Sequence, residues 1–196
     1  MTHERPLVLG SGSPYRRTLL QRLGLAFEVI APGIPERRRE GEPPAATARR
    51  LALEKARAVA GGAPASLVIG CDQVAEVGGR DLGKPLDRPR HLQQLTLLSG
   101  QRVSFRTALC LLDAASGRVQ SEVIDTTVKF RPLAAAEIEA YVEREHALDC
   151  AGGFKCEGLG IALVEFIRGD DPTALEGLPL IALSRMLRNE GVNPLG

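Results

Sequence analysis

The chain has 196 residues, of which 44% are hydrophobic and 25% charged, and its formal net charge is +1. That length supports a single domain over 1–196, with one large core or with a second lobe and no linker splitting it, and the near-neutral charge gives no electrostatic case for nucleic acid or an anionic membrane. No apolar run approaches the ~20 residues that span a bilayer, and Met1 to Pro6 lack the basic-then-apolar pattern of an export signal, so a cytoplasmic protein is expected.

In chain order, Leu7 to Leu9 predicts a strand and the Gly10-Ser11-Gly12-Ser13-Pro14 cluster a tight turn after it. Ser13 falls where a helix N-cap belongs, with Pro14 at the first helical position and Leu19, Leu20 and Leu23 as an apolar face. Two hydroxyls, the backbone N–H groups and the Arg16 guanidinium then meet at the positive end of a helix dipole. Those parts suit a phosphate; an ordinary capped helix has them too. Ala26 to Ala31 alternates as a second strand, and Pro32 to Pro44 is a charged loop. Ala45 to Ala60 is a helix with Ala48, Leu51, Ala52, Ala56 and Val59 on one face and Gly61-Gly62 ending it. Ser66 to Cys71 reads as a buried strand and Gly78-Gly79 as a hairpin.

Leu86 to Leu98 follows as a helix. Val103 to Asp113 and Val119 to Phe130 are long strands joined at Ser116-Gly117, and Ala134 to Glu145 is a helix. After the glycine-rich Gly152 to Gly160, Ile161 to Ile167 reads as a strand and Leu178 to Glu190 as a closing helix. Crossover and hairpin strands among helices imply an α/β fold with a mixed sheet.

A carboxylate just past a buried strand, Asp72, sits where open α/β sheets place ligand chemistry, though a turn-forming aspartate occupies such positions as well. Lys84, between Gly83 and Pro85, adds a cation beyond the hairpin, and Glu36 and Lys55 stand at element edges. Each has a plainer reading: Lys84 in a solvated turn, Lys55 on a helix surface beside Glu54, Glu36 in a solvated charge run. Cys71, Cys110, Cys150 and Cys156 show no C-x-x-C spacing and read as reduced thiols, not a zinc site. A P-loop is excluded because no G-x-x-x-x-G-K-[ST] occurs. A Rossmann dinucleotide site is excluded because Tyr15 stands where the third glycine or alanine belongs.

Across nearly the whole chain, Ser11-x-Ser13-x-x-Arg16, Glu36, Glu54-Lys55-Ala56, Cys71-Asp72-Gln73 and Gly83-Lys84-Pro85 occur in the order of the Maf family. Gly100 with Phe105 and Thr107, Ala151-Gly152 with Phe154, and Gly177-Leu178-Pro179 continue that order. The resemblance implies a fold related to the inosine triphosphate pyrophosphatases: an elongated mixed sheet flanked by helices, in two lobes around a central nucleotide cleft. It also implies hydrolysis of nucleoside triphosphates to monophosphate and pyrophosphate. Ser13-Pro14-Tyr15-Arg16, Glu145-His146 and Phe154-Lys155-Cys156-Glu157-Gly158-Leu159-Gly160 look most like the branch that acts on 7-methyl-GTP. Gly177-Leu178-Pro179-Leu180-Ile181-Ala182-Leu183 points the same way. The branch acting on dTTP and UTP has a lysine at the place of Cys150 and a glutamine at that of Glu157.

Carried onto this sequence, the resemblance makes Asp72 the proton acceptor or water-orienting group. Glu36 and Asp72 would hold a divalent ion, Mg²⁺ or Mn²⁺, and Ser11, Ser13, Arg16, Lys55 and Lys84 would hold the triphosphate. Tyr15, Gln73 and Glu157 would select the base. The 7-methylguanine ring is cationic, so the Tyr15 face and the Glu157 carboxylate both suit it, and the Gln73 amide can donate and accept at the base edge. On residues alone, Tyr15 reads equally as a helix-surface aromatic and Glu157 as a cap on a glycine turn. A homodimer is compatible with the family, as is a role as a non-catalytic nucleotide sensor or cell-division regulator. Retention of the full polar set favours an enzyme that clears modified nucleotides.

Overall fold

The computed structural model describes residues 5–196, so the reading of Met1 to Pro6 falls largely outside the described residues. Seven strands form one mixed sheet in the order β2-β1-β3-β5-β6-β7, with β4 paired to β3. They are β1 (Leu7–Gly10), β2 (Glu28–Val29), β3 (Leu67–Val77), β4 (Arg80–Leu82), β5 (Arg102–Asp113), β6 (Val119–Phe130) and β7 (Val164–Gly169). The five α-helices among the described residues are α1 (Pro14–Gln21), α2 (Pro44–Ala60), α3 (Arg88–Leu98), α4 (Ala135–Arg144) and α5 (Leu180–Asn189). No described helix is long and apolar enough to cross a membrane.

The chain divides into two compact units. The first comprises residues 1–72, 107–124 and 171–196. In it β1 runs parallel to both β2 and β3, with Gly10 opposite Gly70. Strand alternation sends Leu7, Leu9, Leu67, Ile69 and Cys71 into a core shared with Leu19 and Leu20 of α1 and Leu183, Met186 and Leu187 of α5. The opposite face of β3 takes α2. A Cβ on Gly70 would lie 2.1 Å from the Ala52 carbonyl oxygen, so only glycine admits the helix this closely.

The second unit comprises residues 73–106 and 125–170. It holds the β3–β4 hairpin, α3, α4 and the antiparallel β6–β7 ladder. Phe154 packs its ring 5.1 Å from Phe130 and 6.3 Å from Phe105. His91 is buried and its Nε2 donates to the Gly153 carbonyl (2.7 Å), while desolvation lowers its pKa.

Five expected elements are redrawn, one of them the closing helix, which is Leu180–Asn189 and not Leu178 to Glu190 because Pro179 is extended ahead of it. The second strand spans Glu28–Val29, not Ala26 to Ala31, because only Val8 and Leu9 of β1 pair with it. β3 continues past Cys71 to Val77, since the hairpin partner β4 pairs with Ala75, Glu76 and Val77. α3 starts at Arg88, not Leu86. Asp87 caps it through the Arg90 N–H, and Leu86 sits at φ 66° with its N–H on the Leu148 carbonyl. Within the expected strand Ile161 to Ile167, residues Leu159–Leu163 form a 3-10 turn and the strand begins at Val164. The N–H groups of Gly158 and Gly160 both donate to the Lys155 carbonyl, which winds that segment too tightly for a ladder.

Candidate active site

In the first unit, the turn after β1 is organised by its own hydroxyls. Ser13 caps α1 by accepting from the Arg16 N–H (3.4 Å), and Ser11 Oγ accepts from the Ser13 N–H (3.2 Å) and from Arg16 Nη1 (3.3 Å). Each hydroxyl oxygen is therefore used as an acceptor, and its O–H proton remains the group with which it donates. Arg16 is fastened a second time: its Nε donates to the Gly177 carbonyl at 2.9 Å. Tyr15, half-buried, lies beside it in the first turn of α1.

The second cluster joins α2 to β3. Lys55 lies on the apolar stripe of α2 with Ala48, Leu51, Ala52, Ala56 and Val59, so it is buried and not on the helix surface. Its ammonium sits 2.7 Å from Asp72 Oδ1 and 2.9 Å from Glu36 Oε1. The stripe could have been read to include it, because position 55 follows Leu51 by four and Ala48 by seven. Asp72 is buried as well, two residues beyond the last β1–β3 pair, where β1 has ended and its side chain faces α2. Burial pushes its carboxyl above the ordinary 3.8, against the pull of Lys55 and, more weakly, Arg16; Glu36 pushes the same way as burial.

Glu36 and Asp72 are hard oxygen donors converging on one cationic centre. That donor set fits Mg²⁺ or Mn²⁺ of the kind shared between one or two carboxylates and substrate phosphates. Among the described residues, no group of three or more His, Cys, Asp and Glu side chains is placed to hold a metal ion.

Gln73, Lys84 and Glu157 belong to the second unit. Gln73 follows Asp72 on β3. Lys84 is exposed between two anchored neighbours: the Gly83 carbonyl accepts from the Gly152 N–H (3.2 Å) and Gln94 Nε2 (3.0 Å), and the chain is pinned again at Leu86. Glu157 is exposed on the Lys155–Gly160 turn and accepts a weak contact from Cys156 Sγ (3.5 Å).

Three groups have organising roles that the sequence reading did not assign, although Glu145 and Gly177 stand among its family motifs. Glu145 Oε2 accepts from the Leu159 N–H (2.8 Å), and its Oε1 pairs with Lys155 Nζ (3.3 Å), so it holds the turn that carries Glu157. Asp171 caps α5 from outside the helix, accepting from the N–H groups of Ile181 (2.8 Å) and Ala182 (3.3 Å). The third is the Gly177 carbonyl, which accepts from Arg16 and also from Cys71 Sγ (3.0 Å). A capping aspartate that far ahead of its helix carries no local signal.

Over residues 6–190 the chain matches the family described as Maf-like protein. It is 51% identical over 188 residues to a 7-methyl-GTP pyrophosphatase of Methylobacillus flagellatus, covering 96% of this chain and 98% of that one. A 7-methyl-GTP pyrophosphatase of Ralstonia nicotianae is 53% identical, over 94% of this chain and 95% of its own. One of Paraburkholderia xenovorans is 54% identical, over 97% of this chain and 94% of its own.

Proposed function

The chain belongs to the Maf family, and on that premise we propose that it hydrolyses 7-methyl-GTP to 7-methyl-GMP and pyrophosphate, removing a modified nucleotide. The observation that carries the reading is the pair of carboxylates on Lys55, built on the same unit as the doubly anchored Arg16.

In this reading the turn Ser11–Arg16 holds phosphate oxygens: the two hydroxyls donate, the α1 dipole favours the anion, and Arg16 neutralises charge. Lys55 and Lys84 add positive charge along the triphosphate. Water adds across the anhydride between the α- and β-phosphates; pyrophosphate leaves, and Asp72 takes the proton released by the water. A carboxyl held above its ordinary pKa is a stronger base than a solvated aspartate, so burial of Asp72 serves the step. A divalent ion held by Glu36 and Asp72 would supply further charge neutralisation. Tyr15 offers an aromatic face to the cationic 7-methylguanine ring, and Gln73 and Glu157 are assigned to its hydrogen-bonding edge.

The test is pyrophosphate release from 7-methyl-GTP, GTP, dTTP, UTP, CTP and ATP with Mg²⁺ or Mn²⁺. We expect metal-dependent cleavage of 7-methyl-GTP in preference to the others, abolished by Asp72→Ala, and a reduced 7-methyl-GTP/GTP selectivity in Glu157→Gln. A preference for dTTP or UTP would overturn the base assignment and leave the chemistry. Nucleotide binding with no cleavage would replace the enzyme by a sensor.

A further inference from the structure

Glu36 is carried by the long loop between β2 and α2, and its side chain is 53% exposed, so burial does not fix it. The loop is fixed instead from α2. Arg50 presents its guanidinium fork to Glu42, with Nε on Oε1 and Nη2 on Oε2, both at 2.7 Å. The same Nη2 donates to the carbonyl of Arg37, the residue next to Glu36, at 3.0 Å. Around this fork Glu42 accepts from the Arg39 N–H (3.3 Å) and from Thr47 Oγ1 (3.0 Å), and its own carbonyl accepts from Arg38 Nε (2.6 Å). Glu54 closes the ring, 3.1 Å from Arg50 Nη1 and 3.3 Å from Arg39 Nη2. Arg50 and Glu42 side chains are only 15% and 13% exposed, and the Arg50 fork holds the Glu42 carboxyl down to about 2. This set of charges is therefore a built clasp, not a solvated run.

We propose that Arg50, through Glu42 and the Arg37 carbonyl, is the positioning residue for Glu36. The inference rests on the reading of Glu36 as a metal-holding carboxylate and extends it. Arg50 and Lys55 stand five positions apart on one helix, so α2 sets both the cation of the site and the loop that brings the second carboxylate to it. Groups that orient a metal-holding side chain without touching the ion typically change metal affinity about 10- to 100-fold when removed.

Two readouts test this, one of them on protein without nucleotide. Mn²⁺ binding is titrated by electron paramagnetic resonance for the wild type, Arg50→Lys, Glu42→Gln and Glu36→Gln, and the half-saturating metal for pyrophosphate release is measured beside it. Lysine keeps the charge of Arg50 but not the fork. Mn²⁺ affinity and half-saturation are expected to weaken about tenfold in Arg50→Lys and Glu42→Gln, with kcat at saturating metal within about threefold of wild type. Limited trypsin digestion supplies the second readout, since Arg37, Arg38 and Arg39 are exposed cleavage sites on the clasped loop. Cleavage there is expected to accelerate several-fold in both clasp variants, because proteolysis follows the open population of a segment. Mn²⁺ affinity lost in Glu36→Gln but unchanged in Arg50→Lys would overturn the clasp alone. Affinity unchanged in Glu36→Gln would refute the metal reading beneath it.

Discussion

Removing the Lys55 ammonium puts the arrangement of the site to a quantitative test that needs no substrate. Lys55 lies 2.7 Å from Asp72 with the two side chains 5% and 8% exposed, so Lys55→Met leaves a buried carboxylate with no ammonium beside it. Breaking such a pair from one side typically costs about 3–5 kcal/mol. Here the lower end is expected, because Asp72 already sits above its ordinary pKa and can take up a proton more readily than a fully ionised partner. Asp72→Asn removes the charge from the other side, and the double variant Lys55→Met/Asp72→Asn should recover about 2–3 kcal/mol relative to the sum of the singles. The exposed pair Arg88–Glu143, at 3.5 Å with side chains 55% and 66% exposed, is the internal control and should couple by less than about 0.5 kcal/mol. Urea denaturation at neutral pH measures both cycles. Equal coupling in the two pairs would refute the claim that burial makes Lys55–Asp72 the stronger one.

Gly70→Ala should cost about 3 kcal/mol or more in the same denaturation assay, because its methyl group meets backbone of α2 at 2.1 Å; a loss under about 1 kcal/mol would show that the helix can retreat. Cys71→Ser should keep activity within a fewfold of wild type, since Cys71 points away from Asp72 and serine can still donate to the Gly177 carbonyl. A folded variant that has lost most of its turnover would contradict that. Stability should fall in acid as Glu42, held by Arg50, and Asp113, held first by the Ser116 hydroxyl, protonate. Both are lowered to about 2 from 4.5 and 3.8, so their contribution is complete above those ordinary values and is lost as pH drops toward about 2. Asp72, raised, has the opposite sign: its contribution is present below its unfolded value and is lost as pH rises through the folded one. Denaturation midpoints measured between pH 5 and pH 2, about the window set by those values, should slope less in Glu42→Gln and Asp113→Asn than in wild type.

Local chemistry made much of this legible. Ser13 and Pro14 announce the start of α1, the alanine stripe and Gly61-Gly62 bound α2, and Gly78-Gly79 turns β3 into β4. What local chemistry does not carry is pairing. The length of β3 beyond Cys71 depends on β4, and the late start of β7 depends on Phe130 being the last residue that Val164 can meet. The charge run Glu36-Arg37-Arg38-Arg39-Glu40 looks solvated until Arg50 is seen to face Glu42, and Lys55 looks superficial until α2 closes on Gly70. The acidic and basic groups were visible; which of them share one dielectric was not.

The double fastening of Arg16 has a consequence for the order of events in binding. Two of its five N–H donors are already engaged, one on the Gly177 carbonyl and one on Ser11, before any anion arrives. An incoming phosphate meets a side chain whose orientation is already set, and avoids the roughly 0.5–1.5 kcal/mol that immobilising a long flexible side chain costs at the moment of association. A lysine there would have one ammonium to divide between anchor and ligand, so the same net charge would behave as a tether and not as a bracket.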